Sequence, residues 1–120
     1  MHELSIVLSI VEAAEEQARK HSASGVESIS LEIGTLAGIE PDALAFAWEA
    51  GLPGTILANA ERRIHYIQAR ARCLDCNHEF EIEQLYQACP RCGNYFTELL
   101  QGQELKIRSL TLTTAEEVIS

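Results

Sequence analysis

All four cysteines of the 120-residue chain stand in two CxxC pairs. Cys73 and Cys76 form the pair in CLDC. Cys89 and Cys92 form the pair in CPRC, and twelve residues separate the two pairs. Each CxxC turn can aim two thiolates at one point, and two such turns complete the tetrahedral ligand set that zinc accepts. The sequence therefore predicts one metal site that the four thiolates share.

The predicted thiolate site is closed, because four sulfur ligands leave zinc no free position for substrate or water. A segment of about thirty residues is too small for a core of its own, so the metal is expected to supply much of its folding free energy. Two alternatives use the same ligands. Iron in place of zinc would make a rubredoxin-like redox module, although CLDCN has Asn77 where that pattern has glycine. A zinc ribbon that serves only as an adaptor for a partner protein is the other alternative.

The first three residues, Met1, His2 and Glu3, offer a second set of metal ligands. Removal of the initiator methionine requires a small second residue, so Met1 should be kept with its α-amine. That amine, the deprotonated backbone amide of His2 and the His2 imidazole close two chelate rings in one plane, a geometry that Ni(II) and Cu(II) favour. The fourth position stays open to the Glu3 carboxylate, a water, another histidine or a group from a partner. A disordered or merely helix-capping terminus is the competing interpretation.

The chain is acidic, with 18 Asp and Glu residues against 9 Lys and Arg residues and a formal net charge of −9. Phosphate binding usually needs a basic face, so no nucleic-acid partner is expected. The apolar run near the start is too short to cross a membrane and lacks the flanks of a signal peptide, which predicts a cytoplasmic protein with reduced cysteines. No P-loop motif, nucleophile elbow or unpaired cysteine is present, so no enzyme is expected.

Hydrophobic periodicity predicts two helices. The first covers residues 4–21 and is followed by a left-handed turn at Gly25. Its apolar stripe consists of Leu4, Val7, Leu8, Val11, Ala14 and Ala18. The second helix starts at Pro41 and ends near Gly51. Its predicted buried residues are Leu44, Ala47 and Trp48.

Alternating hydrophobicity predicts about three strands. The first covers residues 26–34. Its predicted buried residues are Ile29, Leu31 and Ile33. A second strand lies within 61–71, where the alternation breaks at Ile67, and a third covers 103–112. The polar tail 113–120 is expected to be frayed.

The cysteines fall between the second and third predicted strands, where the aliphatic pattern stops. The expected class is therefore α+β, with two helices packed on a roughly three-stranded sheet and with an inserted zinc-ribbon module. We expect residues 1–71 plus 102–120 to form the nickel-binding α+β domain. Residues 72–101 are expected to form the inserted zinc-binding domain.

Four stretches resemble, in order along the chain, the HypA/HybF hydrogenase nickel-incorporation proteins. They are MHELSIV, LEIGTLAGIEPDALAFAWE, CPRCG and GQELKIRSLTL. The resemblance covers nearly the whole chain and implies a nickel metallochaperone for maturation of NiFe hydrogenase. The implied partners are a HypB-type GTPase and the hydrogenase large subunit, with a weak homodimer as a further expectation.

Carried over residue by residue, the resemblance assigns nickel to the amino terminus, with the Met1 amine and His2 as ligands. Glu3 is the adjoining residue that the resemblance implicates in the site or in partner contact. Structural zinc is assigned to the four cysteines, Cys73, Cys76, Cys89 and Cys92. The implied metals are thus a transported Ni(II) and a structural Zn(II).

Two other histidines stay open as ligands. Some members of the family carry a histidine directly after the second CxxC pair, where this chain has Gly93. His78, two residues after Cys76, is then the remaining histidine that could replace or hydrogen-bond a thiolate, with an exposed hairpin position as the alternative. Some members also offer nickel a second histidine from the zinc module, a role for which His78 and His65 are both candidates.

Overall fold

The computed structural model describes residues 2–114. Along this part of the chain the elements are α1 (Glu3–Lys20), β1 (Ala23–Gly34), α2 (Pro41–Gly51), β2 (Glu61–Ile67), β3 (Arg70–Cys73), β4 (Glu79–Glu81), β5 (Thr97–Gln101) and β6 (Leu105–Thr114). The strands form two three-stranded sheets, in the orders β2–β1–β6 and β4–β3–β5. The predicted α+β class is confirmed. Neither helix of the described residues is long and apolar enough to cross a membrane.

Helix α1 matches the predicted helix closely, but its buried face differs from the predicted stripe. The buried residues are Glu3, Val7, Ile10, Val11, Ala14 and Ala18. Leu4 and Leu8, which the sequence placed in the stripe, are 47% and 50% exposed. At about 100° per residue, both leucines lie on one margin of the buried face and Ile10 lies on the other. The sequence pattern alone does not say which margin the rest of the protein covers.

The turn after α1 forms earlier than predicted. Ser22, with φ of 54°, is the left-handed residue, whereas Gly25 belongs to β1. The prediction of a left-handed Gly25 is therefore wrong. Because β1 begins at Ala23, the chain reverses within two residues of the helix end.

Strand β1 and helix α2 follow their predictions. Ile29, Leu31 and Ile33 are buried as expected, and Ser30 on the opposite side is buried as well, since β1 is the central strand of its sheet. In α2, the residues Leu44, Ala47 and Trp48 are buried as predicted, and Pro41 stands in the first turn. The guanidinium of Arg62 lies 4.9 Å from the centre of the Trp48 ring.

The segment 61–71, predicted as one strand, contains two. β2 ends at Ile67 and pairs in the first sheet, and β3 begins at Arg70 and pairs in the second. The alternation breaks at Ile67 because the strand ends there. Between the two strands, the Ala69 N–H donates to the Thr35 hydroxyl at 2.9 Å.

Strand β6 confirms the third predicted strand with a shift of two residues, because it begins at Leu105 rather than at residue 103 and ends at Thr114. Thr113 and Thr114, assigned to the frayed tail, are part of the strand, and the Ser24 hydroxyl donates to the Thr113 carbonyl at 3.3 Å. The prediction for these two residues is wrong, because cross-strand hydrogen bonds hold polar residues as well as apolar ones. Residues 115–120 of the predicted tail lie outside the described residues.

The described residues separate into two compact units. One comprises residues 2–31, 39–63 and 107–114, and it contains both helices. The other comprises residues 32–38 and 64–106, and it contains all four cysteines. The core of this second unit consists of Ala69, Ala71, Cys73, Phe80, Ile82 and Cys89. The domain boundaries given above stay a prediction.

Candidate metal centres

The four cysteines meet at one point. Their Sγ atoms all lie within 4.8 Å of one another. Cys73 and Cys92 are 3.5 Å apart between sulfurs, and Cys76 and Cys89 are 3.7 Å apart. Such spacing is that of ligands around one ion, and a four-cysteine metal site is present as predicted.

The first pair lies in a tight turn that follows β3. We call residues 73–78 the first knuckle. Its Cys73 N–H donates to the His78 carbonyl at 2.9 Å, and its Asn77 N–H donates to the Cys73 carbonyl at 2.9 Å. The His78 N–H donates to the sulfur of Cys76. These bonds fold the chain so that both thiols of the pair point to the same side.

The second pair repeats this geometry between β4 and β5. We call residues 89–94 the second knuckle. The Cys89 N–H donates to the Asn94 carbonyl at 2.9 Å, and the Gly93 N–H donates to the Cys89 carbonyl at 2.8 Å. The Asn94 N–H donates to the sulfur of Cys92. The two knuckles therefore match position by position.

The matching position after each pair has a left-handed backbone. Gly93 has φ of 77°, and Asn77 has φ of 65°. Asparagine is one of the few residues other than glycine that occupy this region readily. The two turns therefore share one backbone conformation although CLDCN lacks the glycine. The missing glycine no longer argues against a rubredoxin-like site. Local geometry alone does not decide between zinc and iron.

The closeness of the thiols shapes their acidity. Burial raises the pKa of the Cys89 thiol, but N–H donors from Cys92 and Arg91, with the neighbouring thiols, outweigh burial and lower it to about 7. At Cys92 the Asn94 N–H favours the thiolate, but the Cys73 thiol, burial and the other thiols dominate and raise the pKa to about 12. Four thiolates at this spacing repel one another, so a divalent cation is needed for all four to ionise together.

Neither His65 nor His78 joins the sulfur cluster. Among the described residues, one group of three or more His, Cys, Asp or Glu side chains is close enough together to hold a metal ion, and its members are the four cysteines. The His78 ring instead stacks on Phe80, with 5.8 Å between ring centres. His78 thus contributes its backbone to the first knuckle and its ring to the packing around it.

His2 stands immediately before α1 with an exposed side chain. Its carbonyl accepts the Ile6 N–H at 3.0 Å, while its imidazole makes no capping hydrogen bond. The helix therefore fixes the His2 backbone and leaves the ring available, which answers the helix-capping interpretation. Met1 lies outside the described residues.

Glu3 is the first residue of α1 and is 5% exposed. Its carboxylate accepts the backbone N–H of Glu40 at 3.3 Å. The pKa of the Glu3 carboxyl is lowered to about 2, with the chain's amino terminus as the largest cause and the backbone N–H groups of Glu3 and Glu40 next. Glu40 in turn caps α2, accepting the Asp42 N–H at 2.8 Å. Glu40 directly precedes Pro41, a position typical of a helix cap, but the sequence gives no signal of its contact with Glu3.

His21 lies just beyond the other end of α1, where its Nδ1 is 2.9 Å from the Gln17 carbonyl. An 18-residue helix is about 27 Å long at 1.5 Å per residue. His21 therefore cannot share an ion with His2. It provides a histidine of similar exposure that is remote from the amino terminus.

The family model described as "Hydrogenase/urease nickel incorporation, metallochaperone, hypA" matches residues 1–112. The chain belongs to the HypA family. It is 44% identical over 112 residues to the hydrogenase maturation factor HypA of Parabacteroides distasonis, across 93% of this chain and 97% of that protein. It is 40% identical to the HypA of Chlorobium luteolum over the same share of this chain and 96% of that protein.

Solved structures show the same relationship. The solution structure of the Ni metallochaperone HypA from Helicobacter pylori matches with a TM-score of 0.66 and 26% identity, covering 96% of this chain and 100% of that one. A second solution structure of a HypA protein matches with a TM-score of 0.67 and 27% identity, covering 96% of this chain and 98% of that one. The predicted family is confirmed. The HypA family serves nickel incorporation into hydrogenase, and this role favours the nickel hypothesis over a rubredoxin-like module.

Proposed function

We propose that this HypA protein binds Ni(II) at its amino terminus and delivers it for maturation of NiFe hydrogenase. The observation that carries the proposal is the placement of His2. Its ring is exposed, and its backbone is held by the first hydrogen bond of α1. The Met1 amine, the His2 amide and the His2 imidazole would supply three nitrogens in one plane, and nickel accepts such a set. A site with a fourth position open to exchange suits a carrier that must also release its metal.

In our proposal Glu3 supports the nickel site by holding the first turn of α1 in place. Its carboxylate is buried and engaged with the Glu40 N–H, so it fixes the start of α1 more directly than it ligates nickel. A rigid first turn reduces the conformational entropy that nickel binding has to remove. We therefore look to water or to a partner's group for the fourth ligand.

We propose Zn(II) as the resident ion of the four cysteines. Its role is structural, because a tetrathiolate site is closed and because two of its ligands, Cys73 and Cys89, lie in the core of their unit. Zinc would supply positive charge to thiols that cannot otherwise ionise together.

The proposed partners are a HypB-type GTPase and the hydrogenase large subunit. We propose a non-enzymatic role, in which nucleotide hydrolysis belongs to the GTPase. A formal charge of −9 favours the approach of a cation and disfavours nucleic acid. Free thiols that converge on one point suit the reducing cytoplasm, which is the compartment we propose.

The test is nickel titration of zinc-loaded protein with its native amino terminus, compared with His2→Ala and with His21→Ala. We expect one nickel equivalent to bind the wild type and His21→Ala, and nickel affinity to fall at least about a hundredfold in His2→Ala, because a chelate ring is lost. Zinc content should be one per chain in all three proteins.

Nickel X-ray absorption of the same samples reports the ligand types. Equal affinity in His2→Ala and the wild type, or sulfur ligands at nickel, would overturn the amino-terminal site. A short amino-terminal extension is the matched chemical control, because it removes the free amine and leaves His2 in place.

A further inference from the structure

A side-chain hydrogen bond joins the two knuckles. The Asn94 Nδ2 donates to the Asp75 carboxylate at 2.5 Å. Asp75 lies between the cysteines of the first knuckle. Asn94 directly follows Gly93, the left-handed residue of the second knuckle. This contact therefore links the two halves of the sulfur cluster without involving a sulfur atom.

Asn94 is fixed by more than this one contact. Its Oδ1 accepts the Phe96 N–H at 2.8 Å, and its carbonyl accepts the Cys89 N–H at 2.9 Å. A carboxylate can only accept and a backbone N–H can only donate, so these partners set the orientation of the Asn94 amide. A side chain held in this way has little rotamer freedom left to lose when it bonds Asp75.

The equivalent position in the first knuckle lacks such a link. It is occupied by His78, whose ring stacks on Phe80. The link is thus present on the side of Cys92, which is the exposed cysteine of the four. That sulfur is the one a competing ion reaches first.

We propose that the Asp75–Asn94 hydrogen bond fixes the spacing of the two knuckles and so keeps Ni(II) from replacing Zn(II) at the four cysteines. The inference rests on the proposed function, in which zinc is resident and nickel is cargo. Nickel prefers square-planar or octahedral ligand sets, whereas zinc accepts a tetrahedron. Four thiolates on knuckles that can turn relative to each other could flatten around nickel. Knuckles joined on the exposed side hold the tetrahedron, so the two residues help to decide which metal each site keeps.

The experiment challenges zinc-loaded, full-length protein with excess Ni(II). Released zinc is followed with a chromophoric chelator, and nickel at sulfur is followed by its thiolate charge-transfer absorption. We expect Asn94→Ala and Asp75→Ala to release zinc roughly tenfold faster than the wild type, as the loss of a charge-assisted hydrogen bond implies. Glu83→Ala, which removes an exposed carboxylate elsewhere in the same unit, should release zinc at the wild-type rate.

Conservative variants separate the hydrogen bond from the charge of Asp75. Asp75→Asn keeps an acceptor for Asn94 and should stay close to the wild-type rate. Asn94→Asp places two carboxylates against each other and should exchange zinc for nickel quickly. Adding Asp75→Asn should restore slow exchange, because the hydrogen bond forms again with donor and acceptor reversed. This double variant has the net charge of the wild type, so its rescue reports the hydrogen bond.

The outcomes distinguish this inference from the proposed function. A wild-type protein that holds no zinc would overturn the proposed function. Stoichiometric zinc with equal exchange in the wild type and Asn94→Ala would overturn the inference alone. Failure of the reversed pair to slow the exchange of Asn94→Asp would also overturn it, and this comparison stays informative if an alanine variant folds poorly.

Discussion

The carboxylate of Glu3 accepts a hydrogen bond from the backbone N–H of Glu40, across 37 positions of sequence. Glu40 uses its own carboxylate to cap α2, accepting the N–H groups of Asp42 and Ala43. The residue that follows His2 is therefore tied to the start of the second helix. This contact gives the proposed nickel site a rigid base built from a different part of the chain.

Replacing Glu3 should affect nickel binding through this contact. In Glu3→Gln an amide oxygen can still accept the Glu40 N–H, so nickel affinity should stay within about threefold of the wild type. In Glu3→Ala the acceptor is lost and the first turn of α1 is freed, so affinity should fall roughly tenfold. Calorimetric titration of both variants checks this. A loss that is equally large in Glu3→Gln would instead indicate that the carboxylate itself ligates nickel.

Stability should depend on pH through Glu3. Its carboxyl pKa falls from an ordinary value of 4.5 to about 2 in the folded chain. A lowered pKa stabilises the fold above the ordinary value, and this stabilisation is lost as pH falls from 4.5 towards 2. The wild type should therefore exceed Glu3→Gln in free energy of unfolding near neutral pH, and the two should converge in acid. Denaturant titrations of nickel-free protein measure the difference, with the exposed Glu12→Gln as the charge control. A difference that stays constant with pH would contradict this assignment.

The main elements of the fold could be predicted because periodicity records burial along one element at a time. It located α1, β1, α2 and β6, but it treated 61–71 as one strand although the alternation breaks at Ile67, where β2 ends. It could not show that Leu4 and Leu8 would stay exposed, because the covered margin of a helix depends on its neighbours. Nor could it assign β2 and β3 to different sheets, since pairing is a long-range property.

At the metal site too, local features could be predicted from the sequence and long-range contacts could not. Cysteine spacing predicted the sulfur cluster, because a CxxC turn is a local structure. The contacts that support it come from Asn77, Asp75 and Asn94, which carry no signal of their own. Aligning the knuckles CLDCNH and CPRCGN would have exposed the shared turn, with Asn77 opposite Gly93. The Asp75–Asn94 bond breaks that repeat, so only the structure shows it.

Gly93 should tolerate asparagine better than alanine. Its φ is 77°, and a Cβ there would meet nothing within 4 Å, so a substitution costs only backbone strain. Alanine in this region costs about 1–2 kcal/mol, which corresponds to roughly 5–30-fold in zinc affinity because metal binding and folding are coupled. Gly93→Asn, which copies the residue at position 77, should cost less than half of the free energy that Gly93→Ala costs. Competition with a chelator of known zinc affinity measures both variants. Equal losses would show that sterics rather than backbone conformation decide the outcome.

Removal of zinc should unfold the cysteine-containing unit before the helices. Cys73 and Cys89 belong to the core of that unit, together with Ala69, Phe80 and Ile82. Without a cation the four thiols reprotonate, and the knuckles lose the ion that holds their sulfurs together. After chelation, amide hydrogen exchange in 64–106 should quicken at least about tenfold while exchange within α1 changes little. Readdition of zinc is the control and should restore protection. Unchanged exchange in 64–106 would show that zinc is dispensable for this unit.

Two glycines of β1 should respond to alanine in opposite ways. At Gly34 an added Cβ would overlap the backbone carbonyl of Gly102, and the strand cannot shift away because the Gly34 N–H donates to the Glu104 carbonyl at 2.8 Å. Gly34→Ala should therefore lower the free energy of unfolding by about 2 kcal/mol or more. At Gly25 a Cβ would meet nothing within 4 Å, so Gly25→Ala should be neutral or should stabilise by roughly 0.5 kcal/mol. Thermal and denaturant unfolding of the zinc-loaded variants give both values. Similar effects at the two positions would mean that Gly34 and Gly102 are not in close contact in solution.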